Sequence, residues 1–383
     1  MKSKKILNFV LDEKFIDEII KTQDLFKDFE HEYYYILPPR KHSLKQIKDL
    51  QRVRMIRIKE LNSLLNRTDI GGIFLHSLYS YPIKMIAQIP SEIKVFWFAW
   101  GYDIYERPIG NPLIKLPLYR NFTHMELKKP QYLPIHIRKI SNKIMKKFLT
   151  NGIHEKRTFL KAIERINFFS GILPIEFDLV KNKINFKAKR VEYKYQYPLS
   201  DEYTMKIEYN GNNILIGNSA NATNNHLDIL HKLSDLNIND RKLIAPLSYG
   251  GDTLYIKSVK KYGSKIFGSN WLALDQLMTL DDYQNLISSC NVGIFLIERQ
   301  QAMGNINMML RRGCKVFLSE TSVIYKHLTS LGIKVFSFEK DLNQENIDTP
   351  LTEKEKRLNR EITLKTCTYA AAERRFKNLY KLI

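Results

Sequence analysis

The feature that most constrains the fold of this chain is the alternation of short apolar runs with segments whose apolar residues have helical spacing. The alternation is clearest in the second half, where the apolar runs occupy residues 213–217, 242–246, 292–297, 315–318 and 334–336. Strands of a parallel sheet that is covered on both faces form continuous apolar runs, and helices connect them. The pattern therefore predicts a parallel sheet with helices on both faces.

The first half shows the same alternation less cleanly. Its apolar runs lie at 6–11, 33–37, 71–76, 94–100 and 168–170. A chain of 383 residues is too long for one hydrophobic core and fits two cores of roughly 150–200 residues each. We therefore predict an α/β protein with two Rossmann-like, doubly wound domains facing a central cleft, at residues 1–200 and 205–383.

Several segments carry more specific structural predictions. Apolar residues at helical spacing predict a helical segment at 43–65, and a short apolar run predicts a strand at 265–267. Four prolines and many basic residues predict a basic, partly helical insertion in the first domain near 106–150. The stretch 353–382 is predicted to be helical and is assigned to the second domain.

The lack of a recognisable targeting signal and the few cysteines predict a cytoplasmic protein. No stretch approaches the roughly 18–20 consecutive apolar residues that span a bilayer, and the first apolar run ends at Asp12 without a cleavage site. The three cysteines, Cys290, Cys314 and Cys367, are few and widely spaced. This spacing suggests neither a disulfide framework nor a zinc site.

The net charge of +21 is unevenly distributed. Residues 1–200 contain 37 Lys and Arg against 20 Asp and Glu, whereas residues 201–383 contain 24 against 20. A basic half attracts polyanions, which include nucleic acid, an acidic lipid surface and a phosphate-bearing substrate. The alternative interpretation is a Lys-rich surface that is merely solvated.

The first candidate for chemistry is Gly217-Asn218-Ser219, which follows a predicted strand and precedes a predicted helix. Glycine lets the backbone approach a ligand, Asn and Ser donate hydrogen bonds, and a helix start offers unpaired N–H groups to a phosphate. An ordinary capped strand–helix turn explains the same residues equally well.

The second candidate is the loop at 298–305, again between a predicted strand and a predicted helix. Arg299 has the chemistry to pair with a diphosphate, and Glu298 can accept hydrogen bonds from sugar hydroxyls. The remaining predicted donor-binding residues are Gln300, Gln301, Gly304 and Asn305 in this loop and Tyr249 in the loop at 246–251. A solvated Glu–Arg pair is the alternative interpretation.

Two residues of the first half are candidates for acceptor activation. His76 ends a predicted strand, and Asp103 lies just after another strand among aromatic residues. Burial raises the pKa of a carboxyl group toward neutrality, where it acts as a general base. The alternatives are a structural histidine and an aspartate that caps the next helix.

The motifs that are absent exclude several classes of enzyme. The sequence contains no Asp-x-Asp, no Walker loop and no G-x-G-x-x-G, which argues against a carboxylate-held divalent cation, phosphoryl transfer and nicotinamide chemistry. We therefore predict a site without metal or cofactor. Arg299, backbone N–H groups and helix ends would then offset the diphosphate charge.

Together these motifs resemble the bacterial transferases that add Fuc4NAc, 4-acetamido-4,6-dideoxygalactose, from a TDP donor to lipid II of enterobacterial common antigen. The similar stretches are 74–77, 96–106, 214–219, 225–226, 246–249, 280–290 and 299–301 with Gly304. The first 70 residues, the insertion at 106–150 and Ala302-Met303, where the family favours a smaller turn with glycine, depart from the resemblance.

The resemblance implies a GT-B glycosyltransferase that needs no metal and attaches peripherally to the cytoplasmic face of the membrane. It implies that the second half binds the nucleotide-sugar and that the first half receives a lipid-linked or otherwise anionic saccharide. The expected reaction moves a Fuc4NAc-like sugar from TDP in surface polysaccharide synthesis.

Two alternatives stay open at this point. One is a GT-B transferase with another nucleotide-sugar and acceptor, in capsule, lipopolysaccharide or protein glycosylation. The other is a basic nucleic-acid-binding protein. Since the basic residues are spread over several elements and no nucleic-acid motif is present, no nucleic-acid partner is expected.

Overall fold

The computed structural model describes residues 4–13, 15–37, 43–78, 85–105, 114–135, 137, 152–184, 186–195 and 208–383. Its strands are β1 Lys5–Phe9, β2 Glu30–Ile36, β3 Val53–Ile56, β4 Ile70–His76, β5 Lys94–Phe98, β6 Phe168–Ser170, β7 Lys189–Arg190, β8 Asn213–Ile216, β9 Leu243–Pro246, β10 Trp271–Leu274, β11 Cys290–Phe295, β12 Lys315–Leu318 and β13 Phe336–Ser337. Its α-helices are α1 Ile16–Asp24, α2 Leu61–Leu65, α3 Tyr102–Tyr105, α4 Asn121–Leu127, α5 Gly152–Arg165, α6 Ile175–Lys181, α7 His226–Leu233, α8 Thr253–Phe267, α9 Leu280–Ser288, α10 Met303–Arg311, α11 Val323–Ser330, α12 Gln344–Asp348, α13 Glu353–Leu364 and α14 Tyr369–Tyr380.

The chain forms two compact units, each assembled from separate stretches of sequence. The first unit consists of Met1–Lys115, Asn142–Ser200 and Cys367–Ile383. The second unit consists of Leu116–Ser141 and Asp201–Thr366. Two α/β domains were predicted, but the boundaries differ from 1–200 and 205–383 at 116–141 and 367–383.

The first unit contains a parallel sheet with the strand order β3-β2-β1-β4-β5-β6-β7. The predicted helical segment at 43–65 is wrong in its middle, because Val53–Ile56 forms the edge strand β3 and pairs with β2. The backbone N–H of Leu37 also donates to the carbonyl of Ile56 at 2.8 Å. Pairing with a strand distant in sequence thus overrides a local period that also fits a helix.

The last helix, α14, belongs to the first unit, which corrects its assignment to the second domain. Phe376 stacks on Phe26 with 4.8 Å between ring centroids. The hydroxyl of Tyr380 lies 2.9 Å from Nε2 of His31. Because its apolar face is buried against this sheet, α14 is part of the first hydrophobic core.

The second unit contains a parallel sheet with the strand order β10-β9-β8-β11-β12-β13. The predicted strand at 265–267 is wrong, since these residues end helix α8, and the edge strand is Trp271–Leu274. A side chain at Gly263 would lie 2.4 Å from the Trp271 ring, so the glycine lets α8 pack closely on the edge strand. The other strands predicted for this half are present.

The stretch around helix α4 also belongs to the second unit, which corrects its assignment to the first domain. The carboxylate of Asp228 accepts hydrogen bonds from the backbone N–H groups of Phe122 at 2.8 Å and Thr123 at 2.9 Å. Tyr132 is buried in the core of the second unit. Residues 106–113, 136 and 138–151 lie outside the described residues.

Candidate functional site

The loop that follows β8 is held in a fixed shape. Gly217 has a φ of +64°, and a side chain there would lie 2.9 Å from Oδ1 of Asn224. Asn224 Oδ1 accepts from the backbone N–H of Asn218 at 3.2 Å, while its Nδ2 donates to the carbonyl of Ser219 at 3.0 Å. The predicted Gly217-Asn218-Ser219 turn is thus preorganised, and glycine is required at its first position.

Three predicted residues from different loops meet beside this turn. Asn218 Nδ2 donates to the Tyr249 hydroxyl at 3.2 Å, and Gln301 Nε2 donates to Asn218 Oδ1 at 3.0 Å. The hydroxyl of Thr223 holds Gln301 from the other side, at 2.7 Å. The loops follow β8, β9 and β11, and ligands of doubly wound sheets bind at the carboxyl ends of strands.

His226 lies against the turn at Gly217. It was not predicted as a site residue. Its side chain is completely buried, and burial lowers the pKa of the imidazole to about 3, so the ring is neutral. Nδ1 lies 3.4 Å from the Tyr255 hydroxyl, and Nε2 lies 3.1 Å from the position of a side chain at Gly217. The only sequence signal was its place in the family resemblance.

The loop after β11 places Arg299 and Gln300 in a mostly buried position. Nη1 of Arg299 donates to the carbonyl of Gln300 at 3.0 Å. Ala302, at a φ of +62°, precedes helix α10, and Gly304 lies exposed in the first turn. Among the described residues, nothing lies within 4 Å of the position of a side chain at Gly304, so the backbone there is open to a ligand.

Asn305 is less available than predicted. Its Nδ2 donates to the hydroxyl of Tyr283 on helix α9 at 2.7 Å. This bond ties α10 to α9 and occupies one of the two amide hydrogens of Asn305. A role of Asn305 in donor binding stays a prediction.

Glu298 is only 3% exposed, and other side chains already occupy its carboxylate. Ser319 donates to Oε1 at 2.9 Å and Thr321 donates to Oε2 at 2.8 Å. Arg120 forms an ion pair with Oε1 at 2.6 Å. Sequence reasoning missed Arg120, because it lies far from 298 in the chain and within the region assigned to the first domain.

In the first unit, Asp103 is completely buried and accepts four hydrogen bonds. They come from the Trp97 indole, the Ser77 hydroxyl and the backbone N–H groups of Leu78 and Trp100, at 2.9–3.1 Å. Burial raises the pKa of the Asp103 carboxyl, and these hydrogen bonds oppose that rise. The arrangement favours a structural role at the end of β4 and β5 over contact with an acceptor.

His76 is also completely buried, with Nε2 at 3.0 Å from Asn8 Oδ1 and Nδ1 at 3.4 Å from the Tyr195 hydroxyl. Burial lowers the pKa of its imidazole to about 3. Since both nitrogens are engaged inside the core, acceptor activation by His76 and Asp103 stays a prediction that this geometry does not support. Glu106, which belongs to the same motif, lies outside the described residues.

Sequence reasoning also missed Glu176, a buried carboxyl group close to Asp103. Its Oε2 accepts from the backbone N–H of Leu173 at 2.8 Å. Burial raises its pKa to about 7, and the nearby charge of Asp103 adds to the rise. Glu176 lies in a helix with no motif around it, so only the fold reveals its proximity to Asp103.

Neither a metal-binding cluster nor a membrane span is present in the part of the chain that the structure describes. There, no three His, Cys, Asp or Glu side chains are grouped so that they could hold a metal ion. Within the same residues, no helix combines the length and the apolar character needed to cross a bilayer. The predicted independence from metal stays a prediction.

Residues 182–375 match the family model of the 4-alpha-L-fucosyltransferases, glycosyl transferase group 56. The match covers just over half of the sequence. The chain belongs to this fucosyltransferase family. All the predicted donor-binding residues, from Gly217 to Asn305, lie inside the matched range, and the family resemblance inferred from the motifs is confirmed.

Solved structures share the fold of this fucosyltransferase-family protein. HepE of Anabaena, in complex with UDP-glucose, is 10% identical with a TM-score of 0.62, over 99% of this chain and 100% of HepE. A glycosyltransferase of Rickettsia africae is 11% identical with a TM-score of 0.60, over 100% and 99%. An alpha-glucosyltransferase in complex with UDP and a 13-mer DNA containing a HMU base is 10% identical with a TM-score of 0.55, over 99% of both chains.

These likenesses establish the fold, and the family match establishes the class of activity. The two parallel α/β units have the GT-B architecture that the sequence predicted. The fucosyltransferase-family protein is a glycosyltransferase.

Proposed function

We propose that this protein transfers a Fuc4NAc-like deoxyamino sugar from a TDP-sugar to a lipid-linked saccharide in surface polysaccharide synthesis. The observation that carries the proposal is the meeting of Asn218, Tyr249 and Gln301 at the carboxyl ends of β8, β9 and β11. The proteins of similar fold that were captured with UDP-glucose or UDP support a nucleotide-sugar as donor.

The donor's diphosphate would lie between the turn at Gly217 and the start of helix α10. Backbone N–H groups at Gly304 and the positive end of the helix dipole stabilise negative charge there. Arg299 adds a guanidinium that pairs with phosphate oxygens. Tyr249, which is 42% exposed, offers a ring on which the base can stack.

In the proposed reaction, an acceptor hydroxyl oxygen forms a bond to the anomeric carbon. The bond from that carbon to the diphosphate oxygen breaks, and TDP leaves with the electron pair. The hydroxyl proton goes to a base. His76 and Asp103, the residues predicted for this step, are buried and hydrogen-bonded inside the first unit. Positive charge aimed at the leaving diphosphate lowers the barrier, because negative charge grows on it in the transition state.

The surface around helix α4 supports an acceptor at an anionic membrane. Met125, Leu133 and Ile137 are each 56% exposed, and Lys128 and Lys129 are exposed beside them. The described residues 114–135 and 137 contain four Lys and Arg and a single acidic residue, Glu126, which is 6% exposed. Apolar side chains among basic ones, without exposed carboxylates, fit the headgroup region of anionic lipid.

A second candidate is a GT-B transferase that uses another nucleotide-sugar and another acceptor. A nucleic-acid acceptor is one version of it, since the chain carries a net charge of +21 and a protein of similar fold was captured with DNA.

A thermal-shift panel with TDP, UDP, GDP and CDP, each with and without EDTA, tests the proposal. A ligand that binds only the folded state raises the melting temperature. We expect selective stabilisation by TDP that EDTA does not change and that Arg299→Ala abolishes. Selective stabilisation by UDP or GDP would replace the Fuc4NAc donor with another sugar nucleotide, and no shift at millimolar nucleotide would overturn the donor site.

A further inference from the structure

Arg120 stands at the centre of a cluster of charged and hydroxyl side chains in the second unit. Its Nη2 lies 2.6 Å from Glu298 Oε1, 2.6 Å from Glu339 Oε1 and 2.6 Å from the Ser319 hydroxyl. Ser319 in turn donates to Glu298 at 2.9 Å. We call Arg120, Glu298, Glu339 and Ser319 the Arg120 cluster.

The Arg120 cluster lies at the edge of the sheet where ligands bind. Glu298, Ser319 and Glu339 each follow the carboxyl end of a strand, β11, β12 and β13 in turn. These strands are neighbours in the sheet of the second unit. Ligands of such sheets bind outside the carboxyl ends of the strands, so the cluster is placed for ligand contact.

The backbone around Arg120 is fixed before any ligand binds. The Arg120 N–H donates to Oδ1 of Asn225 at 2.8 Å, and Nδ2 of Asn225 donates to the carbonyl of Leu118 at 3.1 Å. The Asp228 carboxylate caps the helix that follows. This segment lies outside the 182–375 range of the family model.

The charges of the cluster decide which part of a nucleotide-sugar it fits. Two carboxylates against one guanidinium leave a net negative charge, which repels a diphosphate. A neutral sugar ring meets no such repulsion, and its hydroxyls both donate and accept hydrogen bonds. The Arg120 side chain is 32% exposed and that of Glu339 is 29% exposed, so both present polar atoms to solvent.

The hydrogen-bonding capacity of Arg120 is not exhausted by these partners. Among the described residues, the hydrogen bonds and ion pairs of its guanidinium all use Nη2. Nη1 therefore keeps its donors for a ligand, while the carboxylate of Glu339 supplies an acceptor. A donor and an acceptor side by side suit a pair of sugar hydroxyls.

We propose that Arg120 and Glu339 bind the sugar ring of the donor and set the enzyme's choice of sugar, while Arg120 holds Glu298 in place. The inference rests on the proposed function, in that it takes a nucleotide-sugar as donor. It assigns the sugar to the Arg120 cluster and leaves the diphosphate to Arg299 and helix α10.

Calorimetric titration of the full chain with TDP and with TDP-Fuc4NAc separates the sugar from the nucleotide. For Arg120→Ala we expect at least tenfold weaker binding of TDP-Fuc4NAc and TDP binding within twofold of wild type. Arg120→Lys keeps the charge but loses the planar fork, so its loss should be intermediate. Glu339→Gln, which keeps the size of the side chain, should also weaken TDP-Fuc4NAc binding alone, and it serves if Arg120→Ala does not fold.

Arg241→Ala is the matched control. Arg241 pairs with Asp348 at 3.1 Å in the same unit and lies just before the amino end of β9, away from the ligand edge. We expect it to bind both ligands like wild type. If Arg120→Ala weakens the binding of TDP and of TDP-Fuc4NAc equally, Arg120 contacts the nucleotide and not the sugar. If Arg120→Ala and Glu339→Gln both bind the two ligands like wild type, the cluster has only a structural role. If wild type binds neither ligand, the proposed function itself has failed.

Discussion

At the scale of single residues, two glycines of the candidate site have opposite reasons to be glycine. Gly217 is required by the fold, because of its positive φ and the contact a side chain would make with Asn224. Gly304 has a different reason, since no atom of the part of the chain that the structure describes lies within 4 Å of the position of a side chain there. A glycine that the fold does not need, in the first turn of a helix, points to a ligand that approaches the backbone.

Gly304→Ala tests whether Gly304 serves a ligand and not the fold. Alanine favours the helix by roughly 0.5–1 kcal/mol, so we expect an equal or higher melting temperature. The added methyl group would hinder the diphosphate, and we expect the KM for the nucleotide-sugar to rise at least tenfold. Ser264→Ala, at an exposed position of helix α8, is the control that changes helix propensity only. A KM like that of the control would contradict placement of the diphosphate at α10.

Glu176 predicts how stability depends on pH. Its pKa is about 7 in the folded protein against an ordinary value of 4.5, so the folded state keeps a proton that the unfolded state releases between these values. The free energy of unfolding therefore falls as pH rises through this range, by on the order of 3 kcal/mol. His76, with its pKa lowered to about 3 from 6.5, acts in the opposite direction below pH 6.5.

Comparison of wild type with Glu176→Gln separates the contribution of the Glu176 carboxyl group to the pH dependence of stability from that of His76. Glutamine cannot ionise, so we expect the variant to gain stability relative to wild type between pH 5 and pH 8. Urea unfolding at several pH values measures the difference. Unfolding curves that shift with pH by the same amount in both proteins would show that Glu176 titrates normally.

At the scale of elements, the segment around helix α4 has an inner face and an outer face. Phe122 and Tyr132 pack on the second unit, the Phe122 ring lying 3.9 Å from that of His231. Leu133 and Ile137 are exposed, and both are helical and four residues apart, so they lie on one face of a helical turn. Firm anchoring of the inner face keeps these apolar side chains directed outward.

Replacement of Leu133 and Ile137 by serine tests the proposed membrane contact. Burial of an apolar side chain contributes about 1.5–3 kcal/mol, so we expect at least tenfold weaker binding of the double variant to vesicles with anionic lipid. Leu331→Ser, at a position that is 46% exposed in the same unit, should bind like wild type. Co-sedimentation measures the binding, and equal binding of all three proteins would move the contact elsewhere.

The elements also show what the sequence allowed us to predict. The central strands of the second unit are continuous apolar runs between polar turns, and they were predicted at nearly their observed bounds. Strand β3 was missed, because an edge strand with exposed Arg54 and Met55 has no apolar run. The strand predicted at 265–267 lies further along the chain, as β10, because helix α8 continues through the apolar residues at 265–267.

At the scale of the whole molecule, the division into units was the least predictable feature. Helix α14 and the α4 segment each join a unit through contacts with residues far away in sequence, such as Phe26 and Asp228. The positions of the loops that we propose bind the donor were predictable, since a strand, a loop and a helix follow one another along the chain. The contact of Arg120 with Glu298 was not predictable, because no residue near Arg120 in the sequence points to a partner so far along the chain.

The share of the positive charge that belongs to each unit differs from the share that belongs to each half of the sequence. The basic residues at 116–141 belong to the second unit and not to the first, so the proposed donor-binding unit carries a basic surface of its own. The proposed membrane contact around Leu133 and Ile137 is therefore also part of that unit. The net positive charge does not by itself assign the acceptor to the first unit.

The most direct test of the account is a transfer assay with labelled TDP-Fuc4NAc and a polyprenyl-diphosphate-linked saccharide in anionic vesicles. We expect wild type to move label into the lipid fraction and to release TDP. We expect Arg299→Ala to lose activity by about 100-fold or more, since charge stabilisation of this kind contributes about 3 kcal/mol. Failure of wild type to label any lipid-linked saccharide from TDP, UDP, GDP or CDP sugars would contradict the account.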